Sequence, residues 1–406
     1  MILYRVLIQI ISLFEIFIGL FSKKYIQRLS GLKNWRNKLI DIKISSGNRD
    51  IIWFHVASLG EFEQARPLID YYFNQGYFIL VSFFSPSGLE FRKNYERLNA
   101  AIYLPLDTYT NSRKFINILK PKFAIFVKYE FWWNYLNQLT LSKTPTFFVA
   151  SIFRKNQYFL RPCIRNIFLP ILQKIDCFFV QNENSLIIAN LFHLKAELTG
   201  DSRVDNVIQR SENRKEITLL DEFDPRNRII VYGSIWVDDL KILESFINNS
   251  DEFLHIVVPH DINDNYITKI KKLIPKSIMW DEFNHQANDS NIVIVNKMGM
   301  LFDLYYYSTM SYVGGGFHNG LHNILEPISF GKPVIFGPKH KKFPEAKLAL
   351  DSGIGFEICE TKDIYDISTY IIHNLSTINR NADVWLLENV GSKDKIVHLI
   401  SKKIKV

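Results

Sequence analysis

Ile51-Ile52-Trp53-Phe54-His55-Val56-Ala57-Ser58-Leu59-Gly60-Glu61 is the stretch on which the fold turns. Its first six residues are a short apolar run, the pattern of a buried strand. Ser58 to Glu61 make the turn that follows, and residues 62–75 read as a helix whose early turns Pro67 should perturb. Outward from this stretch the same alternation recurs. Residues 78–82 form the next strand, which ends at the loop Ser85-Pro86-Ser87-Gly88, a turn by composition. Short strands follow at 101–104, 123–127, 146–150 and 177–180, with helical stretches between them. Strand and helix in this rhythm predict a parallel sheet covered on both faces. The chain then turns polar and ends a connecting segment at Asp224-Pro225-Arg226-Asn227. Beyond it the alternation resumes with strands at 229–232, 255–258, 292–295, 310–313 and 334–336. The expected class is α/β, with two doubly wound, Rossmann-like domains, and such a pair would hold ligands in a central cleft at the carboxyl ends of both sheets.

Composition supports two such bodies. The chain has 406 residues, 47% of them hydrophobic, 14% aromatic and 22% charged, which excludes a disordered chain. Its net charge of +8 suits an anionic partner. Nucleic acid is not expected among the partners, because no recognised module or basic stripe interleaved with aromatics is present. Three cysteines, Cys163, Cys177 and Cys359, lack paired metal spacing and point to a reducing compartment. Residues 1–21 are rich in Ile, Leu, Val and Phe and precede Lys23 and Lys24. They read as an uncleaved N-terminal membrane anchor helix over 1–22, with the rest of the chain cytoplasmic by the positive-inside tendency. Arg5, Gln9 and Glu15 interrupt the run, and a charge at the membrane centre costs about 2.5–3.5 kcal/mol on insertion scales. Lying in the interface is the other reading. The expected divisions are an anchor at 1–22, a first domain at 23–206, a linker at 207–227 and a second domain at 228–406.

Three constellations could carry chemistry. Glu61 lies at a strand-to-helix turn, where a carboxylate could act as general base on a ligand. Ser58 followed three residues later by Glu61 also matches a capping box, which is the plainer reading of the spacing. Gly314-Gly315-Gly316-Phe317-His318-Asn319-Gly320 could bring backbone N–H groups close to a phosphate ahead of a helix N-terminus. A merely tight turn is the alternative. His318, His322 and Glu326 are spaced by four, but the glycines argue against a helical metal face, and no metal is expected. Arg203, in Gly200-Asp201-Ser202-Arg203-Val204-Asp205, could supply a cation for a phosphate or a carboxylate, or be a solvated loop residue.

Taken in order, these pieces resemble the transferases of 3-deoxy-D-manno-octulosonic acid (Kdo), which act on lipid A precursors. The resemblance rests on the block from His55 to Glu61 with Ala65-Arg66-Pro67-Leu68, then Tyr103-Leu104-Pro105-Leu106-Asp107 and Glu130-Phe131-Trp132-Trp133-Asn134. It continues through Gly200 to Asp205, Val258-Pro259-His260, Gly299-Met300-Leu301 and His322-Asn323-Ile324-Leu325-Glu326-Pro327. Gly331-Lys332-Pro333-Val334 and Phe336-Gly337-Pro338 close the series.

The resemblance implies the GT-B fold and an inverting, metal-independent transfer of Kdo from CMP-Kdo to lipid IVA, with no cofactor. It implies Glu61 as the base, with Glu130 and Arg203 stabilising the transition state. It implies a CMP site made from Pro259, His260, Gly299, Met300, Leu301, Asn323, Ile324, Leu325 and Glu326. The implied partners are CMP-Kdo, the lipid A precursor and inner-membrane lipids, with the catalytic domains on the cytoplasmic face. Lys128 stands where many relatives have a carboxylate. The alternatives are another GT-B enzyme with a different nucleotide sugar, or a catalytically silent membrane-bound homologue.

Overall fold

The computed structural model describes residues 2–19, 22–221, 228–283 and 290–404. The chain divides into two compact units, Met1–Asn206 with Val390–Val406, and Val207–Asn389.

In the first unit β1 (Ile51–Val56), β2 (Phe78–Phe83), β3 (Ala100–Tyr103), β4 (Phe123–Val127), β5 (Thr146–Ser151), β6 (Cys177–Val180) and β7 (Ala196–Leu198) make one sheet in the order β3-β2-β1-β4-β5-β6-β7. Every pairing is parallel. Successive residues of a strand point to opposite faces, and here both faces are covered. Trp53 packs with Phe115 and Phe126 on one side, while Phe54 packs with Phe62 and Phe83 on the other. That is why β1 reads as apolar without a break. The order reverses between β1 and β4, so the carboxyl ends of these two strands flank a crevice outside the sheet.

The second unit repeats the plan. β8 (Arg228–Ile235), β9 (Phe253–Pro259), β10 (Ile278–Met279), β11 (Ile292–Ile294), β12 (Met310–Val313), β13 (Val334–Phe336) and β14 (Gly355–Glu357) run in the order β10-β11-β9-β8-β12-β13-β14. All are parallel, with the reversal between β8 and β12.

Three expectations need correction. The N-terminal segment is a helix, Ile2–Gly19, yet among the described residues no helix is long and apolar enough to cross a membrane. Polar residues break its apolar run, and its start is tied to the first unit. The Tyr4 hydroxyl donates to Asp107 at 2.7 Å and Arg5 to Asn134 at 3.2 Å.

Much of the stretch expected to be a linker is built into structure. Ser202–Glu212 is helical, the Lys215 N–H donates to Asp303, and the Ile217 N–H donates to the Tyr307 hydroxyl. Asp224-Pro225-Arg226-Asn227 lies outside the described residues.

The last helix, Ser392–Ile404, returns to the first unit instead of closing the second. Ile396 and Ile400 enter the core beside Phe62, and Asp205 accepts the N–H groups of Gly391 and Lys393.

Candidate active site

In the first unit, chemistry gathers at the reversal between β1 and β4. Glu61 lies in the first turn of the helix Leu59–Asn74, directly after β1. The capping box does not form. Ser58 makes no side-chain cap bond, and the Glu61 carboxylate reaches past it to accept the Ala57 N–H at 2.5 Å. Burial pushes the Glu61 carboxyl up to about 7, and the nearby Glu130 charge adds to the rise. The Ala57 N–H and Lys128 pull the other way. Lys128 is therefore a charge felt by Glu61. Its backbone is left-handed, with φ +57°, as the chain leaves β4.

Glu130 sits in the loop after β4, and its position is set from behind. The Trp132 indole N–H is shared between Glu130 and the buried His55, at 2.9 Å to each. His55 Nδ1 faces the Ser82 carbonyl oxygen at 3.1 Å and hydroxyl at 2.9 Å. That carbonyl calls for a proton on Nδ1, which leaves Nε2 as the acceptor for Trp132. Asp107 holds the same loop from its far end, accepting the N–H groups of Asn134 and Tyr135, each at 2.9 Å.

Arg203 opens the helix Ser202–Glu212, with its guanidinium on Asp201 at 2.6 and 2.9 Å. Ser202 donates to the Gln64 carbonyl at 2.6 Å, which ties this loop to the helix that carries Glu61.

In the second unit the expected residues collect around the ends of β8, β9 and β12. Pro259 ends β9, and His260 follows it. Trp236, just beyond β8, stacks with the rings of His260 and His318, with centroids 4.2 and 4.3 Å away. His260 also stacks on His322 at 4.7 Å, and Trp236 Nε1 donates to His322 Nε2 at 2.9 Å. Burial, with His260 and His318 nearby, holds His322 down at about 4. Gly299 and Met300 border a cavity of about 420 Å³ with Lys215 and Trp280. The helix Leu301–Tyr307 packs on the short helix Leu325–Ile328. Asn323 accepts the Leu325 N–H at 3.2 Å, and Arg210 pairs with Glu326 at 3.5 Å.

The glycine loop is shaped by close backbone approach. A Cβ at Gly314 would meet the Ser234 carbonyl at 2.3 Å, and one at Gly316 would meet the Gly337 backbone at 2.5 Å. The loop does not run straight into a helix N-terminus, since the next helix starts only at Leu325 and has four residues. The tight-turn reading thus accounts for these glycines. Asp239 organises the loop. Fully buried, it accepts the N–H groups of Gly315, Phe317 and Trp236 and the Tyr312 hydroxyl, at 2.8 to 3.1 Å.

The family model for 3-deoxy-D-manno-octulosonic-acid transferase (kdotransferase) matches residues 33–206. A bifunctional glycosyltransferase/methyltransferase of Fusobacterium nucleatum is 26% identical over 80% of this chain and 53% of its own length. The 3-deoxy-D-manno-octulosonic acid transferase of Aquifex aeolicus is 29% identical over 76% of this chain and 82% of its own. Over these lengths the chain is similar to the Kdo transferases. It spans about half the length of the Fusobacterium relative. Among solved structures, UDP-GlcNAc 2-epimerase from Neisseria meningitidis bound to UDP-GlcNAc has a TM-score of 0.62 at 15% identity, covering 87% of this chain and 100% of the other. The calicheamicin glycosyltransferase CalG4 has a TM-score of 0.60 at 9% identity, covering 88% and 99%. These likenesses concern the fold, two Rossmann-like units of the GT-B type.

Sequence reasoning assigned no role to His55, Trp132, Trp236 or Asp239. His55 hides inside an apolar run. Asp239 reads with Asp238 as ordinary acid in a helix first turn. Their position just after or within the strands at each reversal was the available signal.

Proposed function

We propose that this chain transfers Kdo from CMP-Kdo to a hydroxyl of a lipid A precursor, lipid IVA, in lipopolysaccharide core biosynthesis. The displacement is inverting and needs no metal. The supporting observation is the Glu61 carboxylate, sited at the β1–β4 reversal with its proton affinity pushed up to about 7. A general base works best when its pKa lies near the working pH.

In this reading the acceptor hydroxyl hydrogen-bonds to Glu61. As its oxygen bonds to the anomeric carbon of Kdo, the proton passes to Glu61. The bond from that carbon to the phosphate oxygen breaks, and its electron pair leaves with CMP. Attack opposite the leaving group inverts the centre. Positive charge grows on the sugar and negative charge on the phosphate, which the Glu130 carboxylate and the Arg203 guanidinium respectively oppose. Pro259, His260, Gly299 to Leu301 and Asn323 to Glu326 hold the CMP, with Glu326 accepting from ribose hydroxyls. His322, held down at about 4, stays neutral at pH 7 and offers an N–H.

In the same reading the work takes place at the cytoplasmic face of the inner membrane. The net charge of +8 suits anionic lipid, and Val6, Leu7, Ile10 and Phe14 are exposed along the first helix, as an interfacial helix requires.

The test is an assay with CMP-Kdo and lipid IVA, with and without excess EDTA. The expected outcome is CMP release and a lipid heavier by Kdo, at rates within about twofold of each other, because fixed protein dipoles carry the leaving charge. A sugar drawn only from a UDP or ADP donor, or loss of turnover in EDTA, would refute the donor or the metal independence respectively.

A further inference from the structure

Beside Glu130 the first unit holds a cavity of about 440 Å³ that the chemistry above does not use. Its wall comes from the first helix, the loop that carries Glu130, and the helix Pro162–Leu172. Leu7, Ile164, Ile167 and Phe168 supply hydrocarbon, Tyr158 stands with them, and Glu130 is the one charged side chain that lines it. The volume falls in the range of small-molecule sites.

We infer that this pocket takes one hydrocarbon chain of the acylated acceptor while the acceptor's sugar sits at Glu61 and Glu130. The inference rests on the proposed function and adds where the lipid part is read. Two observations choose this occupant. First, the polar end of the cavity is the Glu130 carboxylate, whose charge Glu61 feels, so a ligand filling the cavity has its polar part at the reacting groups and its apolar part away from them. Second, the cavity continues outward as an apolar track. Leu7 lines it and is 53% exposed, and Ile10 and Phe14 are exposed on the same helix at 46% and 56%. Spacings of three and seven residues place them on one face. A chain longer than the cavity therefore has apolar surface to follow. A peptide would need backbone hydrogen-bond partners, and this wall is built mainly of hydrocarbon and aromatic rings.

The experiment uses the full-length protein in one detergent, with CMP-Kdo and two acceptors that share a phosphorylated disaccharide, one tetra-acylated and one fully deacylated. The quantity read is the ratio of kcat/KM for the acylated to the deacylated acceptor. Leu7→Trp, at an exposed position that the fold tolerates, and Ile164→Trp, deeper in the wall, both narrow the cavity. Each is expected to lower the ratio about tenfold or more through lost apolar contact. An unchanged ratio in both variants, a parallel fall with both acceptors, or equal use of the two acceptors by the unmodified protein overturns the inference. Absence of transfer to either acceptor by the unmodified protein instead overturns the Kdo-transfer reading itself, so the two failures are distinguishable.

Discussion

Replacing Glu61 with glutamine is expected to lower kcat for Kdo transfer by about 10²- to 10⁴-fold, the range for loss of a general base. The KM for CMP-Kdo should stay within about twofold, because only an interaction made in the transition state is removed. Glutamine keeps the shape and can still accept the Ala57 N–H, but it cannot take a proton. The same variant separates chemistry from folding. Glu61 has its folded carboxyl raised from 4.5 to about 7, so the folded protein binds the extra proton between those values. Stability from this group is fully present below 4.5 and is lost as the pH rises to about 7. At pH 8 the ionised side chain opposes folding, and Glu61→Gln is expected to raise stability by about 1–2 kcal/mol once solvent access to this half-buried group is discounted. Lower activity with higher stability is the expected signature, checked by steady-state kinetics and thermal unfolding. Unchanged kcat would remove Glu61 as the base.

The largest expected structural effect belongs to Asp239→Ala. Four donors converge on this buried carboxylate, from Gly315, Phe317, Trp236 and Tyr312. Alanine strands them, and each unsatisfied buried donor costs about 1–3 kcal/mol, less where water enters. A loss of about 3–5 kcal/mol in the transition of the second unit is expected, at the upper end for single substitutions. Asp239 also joins the turn after β8 to the loop after β12, so the KM for CMP-Kdo should rise about tenfold in the protein that remains folded. Asp239→Asn should recover part of the stability, since an amide offers one acceptor oxygen but turns its NH₂ toward other donors. Denaturant unfolding with donor kinetics checks both. A loss below about 1 kcal/mol would show that the loop holds itself, for that is the value of one ordinary hydrogen bond.

The depth to which the sequence could be read follows from how each residue earns its place. β1, β2, β4 and β5 are buried on both faces, so their apolar runs announce them. β7, β10 and β14 have two or three residues at or near sheet edges, too few for any period to show. Glu61 stood out because it follows a strand, yet the capping-box spacing pointed to a bond with the cap residue that geometry replaces by one to Ala57. Glu130 was legible only through resemblance, because its neighbours Trp132 and His55 are 77 residues apart in the chain and meet through strand order. The return of the last helix to the first unit depends on Asp205 receiving two N–H groups from beyond residue 390. No local pattern encodes such a contact.

The pH dependence of kcat/KM, measured in the unmodified protein and in Glu130→Gln, tests the base assignment most directly. In the proposed mechanism Glu61 acts as the carboxylate, so the rate should rise with pH up to about 7 and fall about tenfold for each unit below it. Removing the Glu130 charge takes away one of the two causes of that raised value, so the acid limb should move to lower pH whatever the size of the remaining rate. A limb already at 4.5 in the unmodified protein, the ordinary position of a glutamate, or one that stays in place in Glu130→Gln, would contradict a half-buried carboxylate pair as the source of the base.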